Sequence, residues 1–374
     1  MSAPEPRPSI FQRMPLLTAL VLGFTLLPIG IIIFPIAPEF GIPLLLISTR
    51  LLGRRFAWAR RFNAWVDARW MSLRARLRGG SPGDGPSRWR WIFGTLFIIV
   101  CWQVIGTIFA LVAAAGTGLT LDEFLPAEGY GATPLAPDRA ALVLFAVMVS
   151  FLPFIAANLI AYRYILKLKL TRLFTQIGRF SVRRSMFGFA VWLALGLVGT
   201  LVFEIANPGV VEWSFNPAGA LPYVAVALLL IPIQTTAEEL LFRGWFLQWS
   251  DNGRRRRTTL AVFNGVIFAL PHLANPEVAG DDLVRIVGYV AVGVAWAWVT
   301  LRDRTLELAI GAHAANNLSA ALLVGYVGSA IPSVSLWTMD RIPVAQEILL
   351  GVLGAAAFVW ITGRIGKTAH NTRT

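Results

Sequence analysis

The sequence predicts an all-α, polytopic membrane helix bundle, and three observations support this prediction. Hydrophobic residues make up 56% of the 374 residues and charged residues only 14%, whereas a soluble globular protein has about 25% charged residues. The apolar residues form long segments, and the basic residues are concentrated between them. Because the bilayer core contains no water, spanning backbone must be helical. This charge pattern is typical of membrane orientation and not of nucleic-acid binding.

Ten apolar segments approach the length of about 20 residues that a helix needs to cross a bilayer. The first two form a hairpin with Pro35, Pro38, Gly41 and Pro43 around its turn. The second segment is short, so a spanning and a re-entrant course both stay open. The other eight predict an eight-helix core. The ten segments are residues 15–36, 41–52, 91–116, 139–161, 186–205, 221–247, 259–275, 284–301, 306–327 and 345–363.

Lysine and arginine are distributed unevenly between the two predicted sides of the membrane. With a cytoplasmic N-terminus, 29 of the 33 Lys and Arg residues lie in loops assigned to the cytoplasm. The opposite loops hold only Arg139, Arg285 and Arg341. Cytoplasmic loops carry an excess of these residues, so we expect both termini in the cytoplasm. The Arg-, Ala- and Trp-rich composition indicates a bacterial inner membrane.

Four regions follow from the pattern of apolar segments. They are an N-terminal membrane hairpin at 1–52, a basic cytoplasmic segment with its linker at 53–90, the eight-span core at 91–363 and a cytoplasmic tail at 364–374. Tryptophans alternate with arginines over residues 54–78, which is typical of an amphipathic helix on anionic lipid. The Gly- and Pro-rich stretch that follows predicts a flexible linker.

Two adjacent glutamates, Glu238 and Glu239, lie within the apolar segment 221–247. Ionisable residues at membrane depth are costly and are usually functional. Glu239 and Arg243 are four residues apart with the acid first, which is the favourable direction for an ion pair on a helix. Glu238 then lies about 100° around the helix, where it can contact other helices.

Two further polar motifs occur in later segments: Phe268-x-x-x-His272, and His313-x-x-x-Asn317 among small residues that permit close helix approach. Pro271 predicts a kink beside His272. At about 1.5 Å per residue, His313 lies about 10 Å and Glu238 about 13 Å from the cytoplasmic ends of their segments, but His272 about 20 Å. The three side chains can therefore converge only if helices tilt or kink.

These residue types have a specific chemistry. A carboxylate and an imidazole in a low-dielectric cavity can act together as general base toward water. A second imidazole and an amide N–H can donate hydrogen bonds to a developing oxyanion. The single cysteine, Cys101, lies in an apolar run, and no His-Glu-x-x-His motif is present. Attack of water on an amide is therefore the simplest predicted reaction, and a proton relay or transporter is a second interpretation.

In this order and on successive spans, the Glu-Glu-x-x-x-Arg, Phe-x-x-x-His and His-x-x-x-Asn motifs resemble those of the CPBP family of intramembrane proteases. This family includes CAAX-processing enzymes and bacteriocin-immunity-type (Abi) proteins. The resemblance covers residues 180–330 by motif and 91–363 by number of spans, and residues 1–90 lie outside it. It implies an intramembrane glutamic endopeptidase that acts on a membrane-embedded or membrane-tethered peptide or protein.

The resemblance also implies roles for four catalytic residues. Glu238 matches the catalytic glutamate, which with His272 would activate the water. His313 and Asn317 match the pair that stabilises the oxyanion. No cofactor is expected under this mechanism, because the third motif supplies an amide and not a further anionic ligand.

Glu239 and Arg243 match the motif's supporting acid and base, which would hold the catalytic glutamate in position. A zinc-dependent version of the same protease stays open, since a Glu/His/His set can bind zinc. Its ligands would be Glu238, His272 and His313. A catalytically silent scaffold or immunity protein with the same fold is a further alternative. The transporter interpretation is opposed by the absence of an internal sequence repeat.

Overall fold

The computed structural model describes residues 14–33, 38–78, 86–126, 129–130, 135–251, 253, 255–278, 284–339 and 344–371. The chain divides into two compact units, Met1–Ile92 and Phe93–Thr374. This division lies near the predicted end of the basic region. The finer predicted boundaries at residues 52 and 363 stay predictions.

The described residues of the N-terminal unit before Arg88 form three helices: α1 Leu16–Ile33, α2 Pro38–Leu52 and α3 Ala57–Arg78. Helices α1 and α2 pack closely where Gly23 meets Leu52, because a Cβ at Gly23 would lie 2.8 Å from Leu52 Cγ. The second apolar segment is therefore helical. Pro35, at the predicted turn, lies outside the described residues.

Two contacts connect α2 to the basic helix α3. Arg50 donates from both guanidinium Nη atoms to the Asp67 carboxylate, with Nη1–Oδ2 at 2.8 Å, and Asn63 Nδ2 donates to Thr49 O at 2.8 Å. Trp65 is exposed on α3. A tryptophan exposed on a basic helix is compatible with the predicted lipid-surface role, which stays a prediction.

The second unit is a helix bundle, as predicted. Within the described residues, six helices are long and apolar enough to cross a membrane, and two shorter helices complete the predicted eight. The two short ones are α10 and α12. The helices in chain order are α4 Arg88–Gly116, α5 Leu121–Phe124, α6 Pro137–Ile165, α7 Thr171–Phe174, α8 Val182–Ala206, α9 Ala220–Ser250, α10 Arg257–Ala269, α11 Ile286–Asp303, α12 Glu307–Leu322 and α13 Val344–Asn371.

The two short helices correct the predicted segments 259–275 and 306–327. Helix α10 ends at Ala269 and continues only as a 3-10 turn, Leu270–Ala274, because Pro271 has no N–H to continue the helical hydrogen bonds. Helix α12 ends at Leu322, and the residues after it enter a small sheet. The expected kink at Pro271 is thus a helix end.

A three-stranded sheet was not anticipated by the all-α prediction. Its strands are β1 Val211–Trp213, β2 Val324–Tyr326 and β3 Trp337–Met339, in the order β1-β3-β2. Strand β3 pairs antiparallel with β1 and parallel with β2. The sheet therefore connects the segment after α8 to the segment that follows α12.

Small residues bring the polar helices together. A Cβ at Gly311 on α12 would collide with the Ser185 carbonyl oxygen on α8. Likewise, a Cβ at Gly293 on α11 would lie 2.9 Å from the Cα of Gly265 on α10. Such contacts between backbones require the absence of a side chain. They place α12 directly against α8 and α10 directly against α11.

Candidate active site

Glu239 is the centre of a buried polar cluster. Its Oε1 accepts one hydrogen bond from Arg243 Nη1 and one from His313 Nδ1, both at 2.8 Å. The contact with Arg243 is the i,i+4 pair that the sequence predicts. The sequence did not predict that His313 would bind the same oxygen. Glu239 thus joins α9 to α12.

Arg243 lies in a local π-helical turn of α9, Leu240–Phe246. Turns of this kind are frequent at functional sites. The guanidinium also donates from Nη2 to Gly293 O at 3.2 Å and lies over the ring of Phe268, 4.2 Å from its centroid. Asn264 Nδ2 donates to Phe242 O at 2.7 Å, so a carbonyl within the π turn has a partner.

Glu238 lies on a different side of α9, as its helical position predicts. Its Oε1 accepts from Gln234 Nε2 at 2.6 Å. Its Oε2 is buried and has no hydrogen-bond partner among the described residues, and it lies 3.6 Å from His313 Nε2. Buried carboxylate oxygens normally have donors. Glu239 Oε2 is likewise buried without a hydrogen bond in the described part of the chain, but the Glu239 side chain is not exposed at all, whereas that of Glu238 is 10% exposed. Glu238 Oε2 is therefore the more accessible of the two free carboxylate oxygens.

The protonation of His313 follows from its neighbours. Its Nδ1 must carry hydrogen, because Glu239 Oε1 can only accept. Its Nε2 lies 3.6 Å from Glu238 Oε2, so a proton on Nε2 would make this nitrogen a donor on the side of the Glu238 carboxylate.

Asn317 is also part of the cluster. Its Nδ2 donates to Gln234 Oε1 at 3.0 Å, and its Oδ1 accepts from Asn316 Nδ2 at 3.1 Å. Asn316 Oδ1 in turn accepts from Trp192 Nε1 at 3.2 Å. A chain of amides thus runs from α8 through α12 to Glu238.

His272 occupies a separate position at the end of α10. Its Nδ1 contacts Phe268 O at 2.8 Å, so this nitrogen carries hydrogen and Nε2 is left as the acceptor in the neutral ring. Within the described part of the chain, no hydrogen bond joins His272 to Glu238. The Phe268 ring contacts both imidazoles, at 4.7 Å from His272 and 5.8 Å from His313 between centroids.

Sequence reasoning missed three residues that contact the predicted set. Gln234 lies four residues before Glu238 on the same helical face, so its spacing was the available signal. Trp296, whose ring lies 4.6 Å from that of His313, and Tyr289, 4.2 Å from that of His272, come from α11. Neither has a local spacing that connects it to a motif.

The alternative zinc ligands do not converge in this arrangement. Across the described ranges, no three His, Cys, Asp or Glu side chains form a group that could hold a metal ion. The Nδ1 atoms of His272 and His313 bind Phe268 O and Glu239 Oε1, which leaves only Nε2 of each ring for a metal. The zinc alternative and the expected absence of a cofactor both stay predictions.

Comparisons with known proteins agree with this architecture. Residues 217–319 match the model of the Rce1-like family, described as type II CAAX prenyl endopeptidase Rce1-like. This range contains all the residues of the cluster on α9, α10 and α12. The chain is 29% identical over 262 residues to the "Uncharacterized protein YyaK" of Bacillus subtilis (strain 168), a match that covers 68% of this chain and 84% of that protein. No solved structure matches. Over the segment that carries the polar cluster, this chain is therefore similar to the Rce1-like, CAAX-type endopeptidase family, and its apolar helices fit an integral membrane protein.

Proposed function

We propose that this protein is an intramembrane endopeptidase that hydrolyses a peptide bond of a membrane-associated substrate with a water activated by Glu238. One observation carries the proposal. Glu238 holds one carboxylate oxygen through Gln234, while the other, Oε2, is buried, unpartnered and 3.6 Å from His313 Nε2. A general base needs a fixed carboxylate with one oxygen free to take a proton.

The first step transfers a proton from water to Glu238 Oε2 as the water oxygen attacks the carbonyl carbon. In the proposed mechanism His313 also carries hydrogen on Nε2. This N–H can donate to the oxyanion that forms, and Glu239 stabilises the charged imidazole through Nδ1. The same proton arrangement therefore prepares both the base and the oxyanion donor.

The second step breaks the carbon–nitrogen bond. The proton held by Glu238 passes to the leaving amine, which departs as the carbonyl re-forms, and the products are a carboxylic acid and an amine. Asn317 has one amide N–H on Gln234 and a second N–H left for the oxyanion. His272 Nε2 is an acceptor that can orient the water, in keeping with the role that the resemblance implies.

The substrate class follows from the membrane setting. We propose a membrane-tethered or membrane-embedded peptide, such as a bacteriocin-like precursor, that reaches the site from the cytoplasmic side. The matched family is named for prenylated CAAX proteins. A prenylated substrate does not suit the bacterial inner membrane that the composition indicates.

The direct test compares the termini of membrane proteins in cells that carry the wild type or Glu238→Ala. New termini that disappear in Glu238→Ala support the proposal, and identical sets of termini contradict it and favour a silent scaffold. Glu212→Ala is the matched control, because Glu212 is an exposed glutamate on β1. This control should retain the wild-type termini.

A second experiment separates the metal-free mechanism from the zinc alternative. We expect the purified protein to contain no stoichiometric zinc and to retain cleavage in the presence of a chelator. One zinc per chain that is lost in both His272→Ala and His313→Ala would overturn the metal-free mechanism. Proton-driven flux in liposomes that is abolished by Glu238→Gln, without any cleavage, would instead favour the transporter.

A further inference from the structure

A second buried polar cluster lies beside His272 and outside the catalytic motifs. Glu277 Oε1 accepts from the Tyr289 hydroxyl at 2.6 Å and from Asn275 Nδ2 at 3.1 Å, and Tyr326 OH lies 3.4 Å away. Asn275 Nδ2 also donates to the Tyr289 hydroxyl oxygen at 3.1 Å. Glu277 is only 9% exposed. Three side chains, Glu277, Asn275 and Tyr289, therefore form a closed triangle of hydrogen bonds.

The cluster contacts His272 through the Tyr289 ring. The two ring centroids are 4.2 Å apart and the planes are inclined by 32°. The Phe268 ring also contacts the imidazole, with its centroid 4.7 Å away. With Nδ1 on Phe268 O, the imidazole is restrained by a hydrogen bond and by two aromatic rings.

The backbone at His272 is less regular than a helix, so the side chain depends on these contacts for its orientation. His272 lies in the 3-10 turn Leu270–Ala274, after the regular helix has ended. A 3-10 turn has poorer hydrogen-bond geometry than an α-helix, so it fixes a side chain less firmly. Asn275 and Glu277 follow directly in the chain and connect this turn to Tyr289 on α11.

We propose that Tyr289 is a positioning residue for His272, and that Glu277 and Asn275 fix the Tyr289 phenol for this purpose. The proposal deepens the proposed function, on which it rests for the part that concerns cleavage. Tyr289 touches no reacting atom. It sets the direction of His272 Nε2, the nitrogen that is left to bind the water.

The variants separate the ring from its hydroxyl. Tyr289→Phe keeps the ring contact and removes the hydrogen bond to Glu277, whereas Tyr289→Leu removes both. Glu277→Gln keeps an acceptor for the phenol, and Glu277→Leu does not. Tyr164→Leu is the matched control, because Tyr164 is 70% exposed on α6.

The first readout is cleavage. A group that positions a reactant can lose about 10²-fold in rate when it is displaced by about 1 Å, so we expect Tyr289→Leu to lower kcat by about that factor and Tyr289→Phe by about tenfold, with KM unchanged. Glu277→Gln should retain most of the activity that Glu277→Leu loses. In a His272→Ala background, Tyr289→Phe should have no further effect, since coupled residues are not additive. Additive losses would overturn the proposal.

The second readout does not depend on protease activity. Diethylpyrocarbonate modifies the free nitrogen of a neutral imidazole, and the chain has only three histidines, so peptide mass spectrometry resolves each of them. We expect the modification rate of His272 to rise severalfold in Tyr289→Leu and Glu277→Leu but not in Tyr164→Leu, with His313 unchanged. An unchanged His272 rate would overturn the proposal. If the wild type shows no cleavage that depends on Glu238, the proposed function fails and this readout still decides the positioning role.

Discussion

At the scale of single residues, the two glutamates of the polar cluster differ in the hydrogen-bond donors that their carboxylate oxygens accept from. Glu238 and Glu239 are neighbours in sequence, but the bound oxygen of each carboxylate has different partners: the Gln234 amide for Glu238, and Arg243 with His313 for Glu239. The second oxygen of each carboxylate has no hydrogen bond to any described residue, but only the Glu238 side chain is partly exposed. This difference separates the carboxylate that water can reach from the one that holds Arg243 and His313.

Gln234 gives the first prediction. Gln234→Leu removes the donor to Glu238 Oε1 and leaves Asn317 Nδ2 without its acceptor. A buried group left unsatisfied costs about 1–3 kcal/mol, and we expect kcat to fall by about 10²-fold, which is about 2.7 kcal/mol. Steady-state cleavage of an identified substrate measures this.

The control for this prediction is Gln346→Leu, because Gln346 is an exposed glutamine on α13. It should leave kcat unchanged. Gln234→Glu should be more harmful than Gln234→Leu, since it places a second carboxylate beside Glu238. Wild-type kcat in Gln234→Leu would show that Glu238 needs no fixed partner.

The sequence predicted which residues form this cluster better than it predicted their contacts. The i,i+4 spacing predicted the ion pair between Glu239 and Arg243, since both lie on one helix. It could not assign His313 to Glu239, because that contact depends on how α12 lies against α9. The predicted facing of Glu238 and His272 has no corresponding hydrogen bond among the described residues, since α10 ends before His272.

At the scale of elements, the spacing of the helices depends on positions where only glycine fits. Gly311 contacts the Ser185 carbonyl so closely that a methyl group cannot be accommodated. Gly311 is two residues before His313, so a displacement of α12 there also displaces the imidazole. Helix packing and the polar cluster are therefore coupled at this contact.

Gly311→Ala is the second prediction. Inserting a methyl group into a packed contact costs about 1–3 kcal/mol, and we expect a lower midpoint of thermal unfolding together with reduced cleavage. Gly196→Ala on α8 is the control, because no atom lies within 4 Å of its added Cβ. This control should be neutral or stabilising, as alanine favours a helix.

The short helix α5 gives a prediction that concerns pH. Arg139 Nε donates to Glu123 Oε1 at 2.8 Å, and Thr120 forms a capping box with Glu123. The hydrogen bond from Arg139, followed by that from the Thr120 backbone, lowers the pKa of Glu123 to about 2. Because the folded pKa lies below the unfolded value of about 4.3, this stabilisation is present above that pH and is lost as the pH falls toward 2.

Hydrogen exchange at residues 121–125 should therefore show a loss of protection between about pH 4 and pH 2 in the wild type. In Glu123→Gln, protection should be lower at neutral pH and should lack this step, after correction for the intrinsic rate of exchange. A step that persists in Glu123→Gln would assign the acid transition to another group.

Hydropathy predicts that helices exist but not where they end. Each of the eight predicted apolar segments contains a helix, because the apolar composition of a segment is a local property of the sequence. The π turn in α9, the early end of α10 and the three-stranded sheet were not predicted. The π turn and the sheet involve contacts between residues far apart in sequence, Asn264 with Phe242 and β1 with β3. The end of α10 has a local cause, Pro271, for which the sequence predicted only a kink.

At the scale of the whole molecule, the distribution of basic residues predicts which loops share a side of the membrane. The loop that holds Arg255 and the C-terminal tail belong to the cytoplasmic side, and the loop with Thr120 belongs to the opposite side. This orientation is a prediction from charge alone, and labelling can test it directly.

In a Cys101→Ala background, a membrane-impermeant thiol reagent applied to inside-out vesicles should label Arg255→Cys, and applied to right-side-out vesicles it should label Thr120→Cys. Cys101 is the single cysteine, so this background leaves the introduced cysteine as the only thiol. Labelling of both positions from one side would contradict the predicted topology.

The short helices have a consequence for the surrounding lipid. Helix α10 has 13 residues and α12 has 16, which rise about 20 Å and about 24 Å against a hydrocarbon core of about 30 Å. Helix α12 is buried in the bundle along most of its length, whereas α10 exposes Val262, Phe263 and Val266. Lipid beside α10 must therefore thin, or the helix end must draw water inward, and each response costs free energy per ångström of mismatch. We expect acyl-chain length to affect the proposed hydrolysis, because shorter lipids relieve the mismatch at the end of α10, next to His272, and thicker bilayers oppose entry of the water that hydrolysis consumes.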